Sequence, residues 1–402
     1  MPHESSLDSK LVTLEDMKAL IYGGCFLASG GGGPISMALN FHQRISSPVP
    51  MISKSDLNPG EKVAIVADLG SPDKAAEGFG YTAPVNAYTA LDAYLLQQEQ
   101  KKISYFLPAE IGAVNTLIPF FIASQFSPPL TVVNADPSGR AVPEMDESML
   151  EVNNVPCCPA IIASDTQSGK LCQWSQGNFI SKLFTNLTPS ELEDAARQEV
   201  SQPVYNQVGG MACWPMDSDF LASGAADDAV IEGSVQAAIQ VGHTLLNNPA
   251  PEHLAETLTG LGIYWHVLCN GLITKIDNRT ASGFDVGKIV LKTMMGELWV
   301  YYKNESLLAW DPQEKQPKVI APDCINFLKF SETDQLYGTQ PVSTADIAEG
   351  QVLTVWATAC ADKMRNPTIE SMFLKDIHQI NAAFPEDHIE INTYIPVEQL
   401  NS

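Results

Sequence analysis

Two polar stretches carry the residue types that move protons and hold small ligands. Glu110-Ile-Gly-Ala-Val-Asn115 follows an apolar run at residues 104–107. Asp136-Pro-Ser-Gly-Arg140-Ala-Val-Pro-Glu144 follows a second apolar run at residues 130–133. Both runs read as buried strands, so both polar stretches fall at strand ends, where open α/β sheets gather their ligands. A carboxylate placed there and partly stripped of water gains proton affinity, which makes Glu110 or Asp136 a candidate base. The forked donors of Arg140 suit a ring carbonyl or a carboxylate. The amide of Asn115 can read N–H and C=O groups together. Gly139, Glu144 and Ser71, which ends an earlier strand, are further candidate contacts. Each has a structural rival. Glu110 and Arg140 would also serve as a buried ion pair bracing the loops. Asn115 would serve as a helix cap, Asp136 as the organiser of the Pro-Ser-Gly turn, and Glu144 as a solvated charge.

A third stretch, Ser29-Gly30-Gly31-Gly32-Gly33-Pro34, joins two amphipathic segments. Thr13 and Asp16 form a capping-box start, and Leu14, Met17, Ile21, Cys25 and Ala28 then recur at helical spacing. Pro34 suits the first position of the next helix. A glycine loop at a helix start can aim backbone N–H groups at an anion or a carbonyl. Its rival is a sharp helix–helix turn. A dinucleotide site is disfavoured, because the GxGxxG spacing fails at Ile35 and a helix precedes the loop.

The elements that would position these loops follow from periodicity. Residues 63–69, 104–107 and 130–133 read as strands, with helices at 84–97 and after Asn115 or Thr116. That alternation implies parallel pairing with right-handed crossovers. A hairpin is expected between residues 160–163 and 171–174, a helix at 189–200, and a long helix at 226–246. Beyond residue 250 come short runs at 288–291, 298–302, 324–330 and 352–356, which argue for an antiparallel barrel or sandwich. The expected architecture is a three-layer α/β domain with a mostly parallel sheet over residues 1–249. A smaller, barrel-like all-β domain follows over 250–362, and a tail, 363–402, returns to the α/β domain.

Composition narrows the function classes. The 402 residues are 45% hydrophobic and carry a net charge of −24, with a pI near 4.5. Such a chain repels phosphate backbones and anionic membranes, so nucleic acid and membrane are not expected partners. No apolar stretch approaches the roughly 18 residues that span a bilayer, and the N-terminus lacks a signal pattern. A cytoplasmic location is expected. Eight cysteines are too sparse for a disulfide scaffold. Cys25, Cys172, Cys213, Cys269, Cys324 and Cys360 read as buried thiols, and Cys157 and Cys158 are adjacent. No pair of the seven histidines has ligand spacing, so no cofactor is expected. A metal site assembled from distant residues stays open. A homodimer is the default assembly.

The three motifs together resemble the S-methyl thiohydantoin desulfurase-like family. In it the glycine loop, the Pro108–Asn115 segment and the Ala135–Glu144 segment occur in this order along nearly the whole chain. Ala113 stands where the family usually has a second glycine, and Asp136-Pro137 where it usually has Asp-Gly. The resemblance implies an α/β domain followed by an all-β domain. It also implies a link to hydantoin and oxoproline metabolism, and an enzyme that hydrolyses an S-methylated thiohydantoin to a hydantoin and methanethiol. On this reading Glu110, Asp136 and Arg140 are catalytic. Ser29, Gly30, Gly31, Gly32, Gly33, Ser71, Asn115, Gly139 and Glu144 contact a small-molecule substrate. Two alternatives stand beside it: a metal-dependent hydantoin or oxoproline ring hydrolase, and a non-catalytic subunit that binds hydantoinase-type partners. No GxSxG elbow is present, which disfavours a serine nucleophile.

Overall fold

The computed structural model describes residues 10–70, 80–166, 179–247, 250–281, 284–331 and 336–401. The chain begins with β1 (Lys10–Val12), α1 (Leu14–Leu27), α2 (Ile35–His42), β2 (Val49–Ile52), β3 (Lys62–Gly70), α3 (Ala83–Glu99), β4 (Ile103–Leu107) and α4 (Leu117–Ser124). It continues through β5 (Thr131–Val133), β6 (Ala135–Asp136), β7 (Ala160–Ala163), β8 (Ser181–Phe184), α5 (Pro189–Val200), β9 (Val208–Asp217), β10 (Ile231–Glu232), α6 (Ser234–Asn247) and α7 (Pro251–Gly260). Among the described residues one sheet runs β1-β2-β5-β4-β3-β9-β7-β8. Its centre, β2-β5-β4-β3, is parallel. Antiparallel strands close both sides.

Both faces of this sheet are covered, as the continuous apolar run of β3 requires. Ala64 and Val66 face α1, α3, α4 and α6, while Ile65 and Ala67 face α5 and the loops around Leu150 and Leu221. The capping boxes at Thr13/Asp16 and Thr188/Glu191 both form and fix the starts of α1 and α5. The contact between α1 and α6 is unusually close. A Cβ on Gly23 would stand 1.8 Å from the Ala238 carbonyl oxygen, and one on Gly242 would stand 1.7 Å from that of Ala19.

Three local expectations change. The long helix at 226–246 is broken into a 3-10 turn, the strand β10 and α6. Gly233 sits at φ +80° between them, and Ile231 pairs with Asp136 instead of continuing the helix. The partner of β7 is β8, at residues 181–184, rather than residues 171–174; of those, like Cys172, no position is described. The 10-residue β9, which pairs with β3 along almost its whole length, was not foreseen.

The second domain is a single antiparallel sheet in the order β15-β14-β13-β12-β11-β18-β16-β17. Its strands are β11 (Trp265–Ala281), β12 (Phe284–Lys292), β13 (Glu297–Lys303), β14 (Glu305–Asp311), β15 (Gln316–Ile320), β16 (Cys324–Lys329), β17 (Gln340–Pro341) and β18 (Val352–Thr358). The 17-residue β11 pairs with β18 through its first half and with β12 through its second, with a register shift in each ladder. Ile289, Val300 and Ala309 from one flank pack with Ile325, Phe327 and Val355 from the other. The sheet is therefore folded over a shared core.

The tail forms α8 (Pro367–Ala383). It packs chiefly on this second sheet through Phe373, Ile377 and Ile380, meeting the first domain at Met149, Val142 and Ile231. Buried Asp323 fastens the tail, accepting bonds from Cys360 N, Tyr394 Oη and Val397 N at 2.8–2.9 Å. Among the described residues no helix is long and apolar enough to cross a membrane.

Candidate active site

The end of β4 and the face of β3 open onto a cavity of about 560 Å³. Ile65 and Ala67 of β3, with Met211 and Trp214 of β9, form its floor; α5 covers one side, and the loop at 142–148 covers another. The indole of Trp214 is fixed by donating to Val155 O at 3.0 Å.

Glu110 lies in the wall of this cavity and is only 7% exposed. Its Oε1 accepts from Asn115 Nδ2 at 2.6 Å, and its Oε2 from Val142 N at 2.8 Å. Burial pushes the carboxyl up to about 7; Asp136 adds to the rise, while the two donors and Arg140 oppose it. Asn115 also lines the cavity. It acts on Glu110 rather than capping α4, because Thr116 is the residue at that helix's cap position. The Thr116 hydroxyl ties the loop, donating to Glu110 O at 3.2 Å and accepting from Gly112 N at 2.8 Å.

Glu144 is the second expected residue in the wall, and it is not a solvated charge. Its carboxylate pairs with Lys303 at the end of β13, which is fully buried and also donates to Asp376 Oδ1 of α8 at 2.8 Å. One ammonium thus joins the cavity loop, the second sheet and the tail.

The remaining expected residues lie elsewhere. Arg140 is wholly buried, but its guanidinium is engaged by backbone carbonyls: Nε donates to Ala141 O, Nη1 to Pro322 O and Asp323 O, and Nη2 to Ser306 O. No ion pair joins it to Glu110 among the described residues, and the ring of Phe373 sits 5.0 Å from its Cζ. Asp136 organises its turn, as its rival reading held, by accepting from Ser138 N at 2.9 Å and Gly139 N at 2.7 Å. Burial pushes it up to about 6, against the pull of Ser234 and those N–H groups. Pro137 removes no donor that this turn uses. Gly139, at φ +68°, faces Ala361.

The glycine loop is a joint between the domains rather than part of the cavity wall. Ser29 Oγ donates to Ser306 O and accepts from Ile325 N, both at 2.9 Å, and Gly30 O accepts from Thr344 N at 2.8 Å. A Cβ on Gly31 would stand 2.1 Å from Glu305 Oε1; one on Gly32, at φ +69°, would stand 2.3 Å from Gly112 Cα. Gly33 packs on Val114. Ser71 lies outside the described residues.

Sequence reading missed three acidic groups. Asp68, on the third residue past Ile65, and Glu193 of α5 both line the cavity. Asp68 keeps Oδ1 buried and without a partner, and burial with Asp165 nearby raises it well above the ordinary range. Glu193 accepts from Met145 N at 2.8 Å and pairs with Arg197 one turn on. Glu305, 5% exposed, sits over Gly31 with Oε2 unpartnered; burial and Glu110 raise it well above the ordinary range. Only the placement of β9 and α5 against β3 gathers the first two, so no local motif marks them. Among the described residues no cysteine lines the cavity, and no cluster of His, Cys, Asp or Glu is arranged to hold a metal ion.

The arrangement is a mostly apolar chamber with one buried carboxyl, raised toward neutrality, held between two fixed N–H donors. Such a group can take a proton from water near neutral pH and return it. Comparison with known proteins agrees in fold. The chain is similar to a protein from Chromobacterium violaceum whose X-ray crystal structure matches with TM-score 0.78 and 25% identity, over 96% of this chain and 100% of that one. No curated protein matches the sequence. The family model for the S-Me-THD-like N-terminal domain matches residues 15–172, and that for the C-terminal domain matches residues 188–373. The second match starts ahead of β9, so it takes in the strand that completes the first sheet. With most of its length matched by these two models, the chain belongs to the S-Me-THD-like family.

Proposed function

We propose that this protein is a hydrolase acting on a small cyclic amide or thioamide, with water replacing methylthio on a hydantoin-type ring. The reading is carried by Glu110, a buried carboxyl pushed up to about 7 in the wall of an apolar cavity. In the reaction the water oxygen bonds to the ring carbon that bears sulfur, and Glu110 takes one of its protons. The carbon–sulfur bond then breaks, sulfur leaves with the proton returned from Glu110, and the ring nitrogen receives the proton of the new hydroxyl as its C=O forms. The products are the ring amide and methanethiol. The N–H groups of Val142 and Asn115 fix the carboxyl so that its free lone pairs face the chamber. Apolar walls keep the charge of the intermediate from bulk water and strengthen every polar contact inside.

The test is methanethiol release from S-methyl thiohydantoins by the purified protein, with and without chelator. Glu110→Gln can accept from only one of Asn115 Nδ2 and Val142 N, because its amide nitrogen donates; it cannot carry the proton, and is expected to lower turnover by about 10²–10⁴. Asp136→Asn, which removes a charge that helps raise Glu110 but no proton-transfer group, is expected to leave kcat within about threefold once folding is matched. Absence of turnover, or turnover that survives Glu110→Gln, sinks the proposal.

A further inference from the structure

The charges around the cavity are not balanced, and their arrangement bears on which ligands it admits. Among the described residues that line it, four are acidic (Asp68, Glu110, Glu144 and Glu193) and the one cation is Arg197. Arg197 already pairs with Glu193, one helical turn away. Lys303 meets Glu144 from behind the wall, itself wholly buried between that carboxylate and Asp376. Arg140, the side chain best suited to a carboxylate, has its donors on four backbone carbonyls.

Among the described residues the two acids with no ion pair are Glu110, held by neutral donors, and Asp68, whose buried Oδ1 has no hydrogen-bond partner and whose burial favours the neutral acid. At pH 7.5 a ligand carboxylate entering this space would meet the ionised form of Glu110 and, among the described residues, no cation that lacks an acidic partner, a juxtaposition that disfavours it. A ring amide offers N–H donors that an acid oxygen accepts and a C=O that a protonated acid donates to. An ammonium arm would gain from ionised Glu110, and an alkyl arm from Met145, Met211 and Val200.

We infer that the cavity selects uncharged ring amides bearing an apolar or cationic arm and excludes ligands that carry a carboxylate. The inference rests on the reading of this cavity as the substrate site. On it, carboxylated rings of the oxoproline type are not substrates, whereas hydantoins with alkyl or aminoalkyl arms are accepted.

The test is calorimetric titration of the full chain at pH 7.5 with two matched series. One series is hydantoins bearing isobutyl, aminobutyl or carboxyethyl arms; the other is open-chain amides with the same three arms. The expected result is that the carboxylate arm binds on the order of 100-fold more weakly than the other two. In Glu193→Gln, where Arg197 is released while Met145 N keeps its acceptor, the carboxylate arm is expected to gain at least ~10-fold. Equal or tighter binding of the carboxylate arm by the unmodified protein overturns the inference, as does failure of both series to bind. If only the open-chain series binds, and in the expected order, the selectivity stands and the ring-hydrolase reading falls.

Discussion

The domain joint and the cavity are both buried and both rich in polar atoms, yet they are built on opposite terms. At the joint, Ser29, Gly30 and Arg140 are engaged by backbone groups of the second sheet. These are bonds that hold a geometry and leave little for a ligand. In the cavity wall, Glu110 is held by only two neutral donors, and Asp68 keeps one buried oxygen without a hydrogen-bond partner. Residue types alone looked equally chemical in both places. What separates them is whether backbone or empty volume stands opposite.

That contrast is sharpened by substitution. The largest effect is expected at Arg140→Met, which leaves four buried carbonyls short of a charged donor. A loss on the order of 3–5 kcal/mol should appear as a lowered urea midpoint. Gly32→Ala should follow at about 3 kcal/mol by the same measurement, because it combines a positive φ with a backbone clash at Gly112. Were either protein as stable as the parent, the joint would not be structural.

Glu110→Gln should behave differently, through pH. Burial lifts the folded carboxyl to about 7 from its ordinary 4.5. Between those values the folded state holds a proton that the unfolded state has released, so the parent loses stability as pH rises through this window. The variant has no such proton. Starting from an offset near pH 4 set by its one lost hydrogen bond, it should gain on the parent by up to about 3 kcal/mol above pH 7. Parallel stability curves for the two would remove the premise of the proposed chemistry. The smallest effect is expected at Asn115→Ala, about 1 kcal/mol. Losing a donor to the ionised form should also move the acid limb of the activity profile upward.

Local signals were enough for the parallel core. The apolar run of β3 and the capping boxes at Thr13 and Thr188 need no distant partner to be read. Glu110 and Asn115 were also readable, because a carboxylate and an amide directly after a strand fall at the open end of the sheet. The position of the glycine loop, away from the cavity wall, was not legible for a physical reason. Missing side chains allow close approach by a ligand or by another backbone, and the sequence does not say which. Here Gly112 and Glu305 approach.

The unforeseen β9 is interrupted by Gly209, Gly210 and Pro215, which break any alternation. Gly210 is required because a Cβ there would stand 2.2 Å from Ala83 C and Pro84 N. Lys303 is 159 residues from Glu144, so nothing local pairs them.

That last contact has a consequence for the molecule as a unit. Lys303 reaches the cavity loop from the second domain and is itself steadied by a carboxylate on the C-terminal helix. Severing the chain after α7 would strand Glu144 against an apolar wall with its counter-ion gone. The front half would keep its sheet while losing the shape of its chamber. Neither half keeps the chamber by itself, and any shortening from the carboxyl end that removes Asp376 reaches it by the same route.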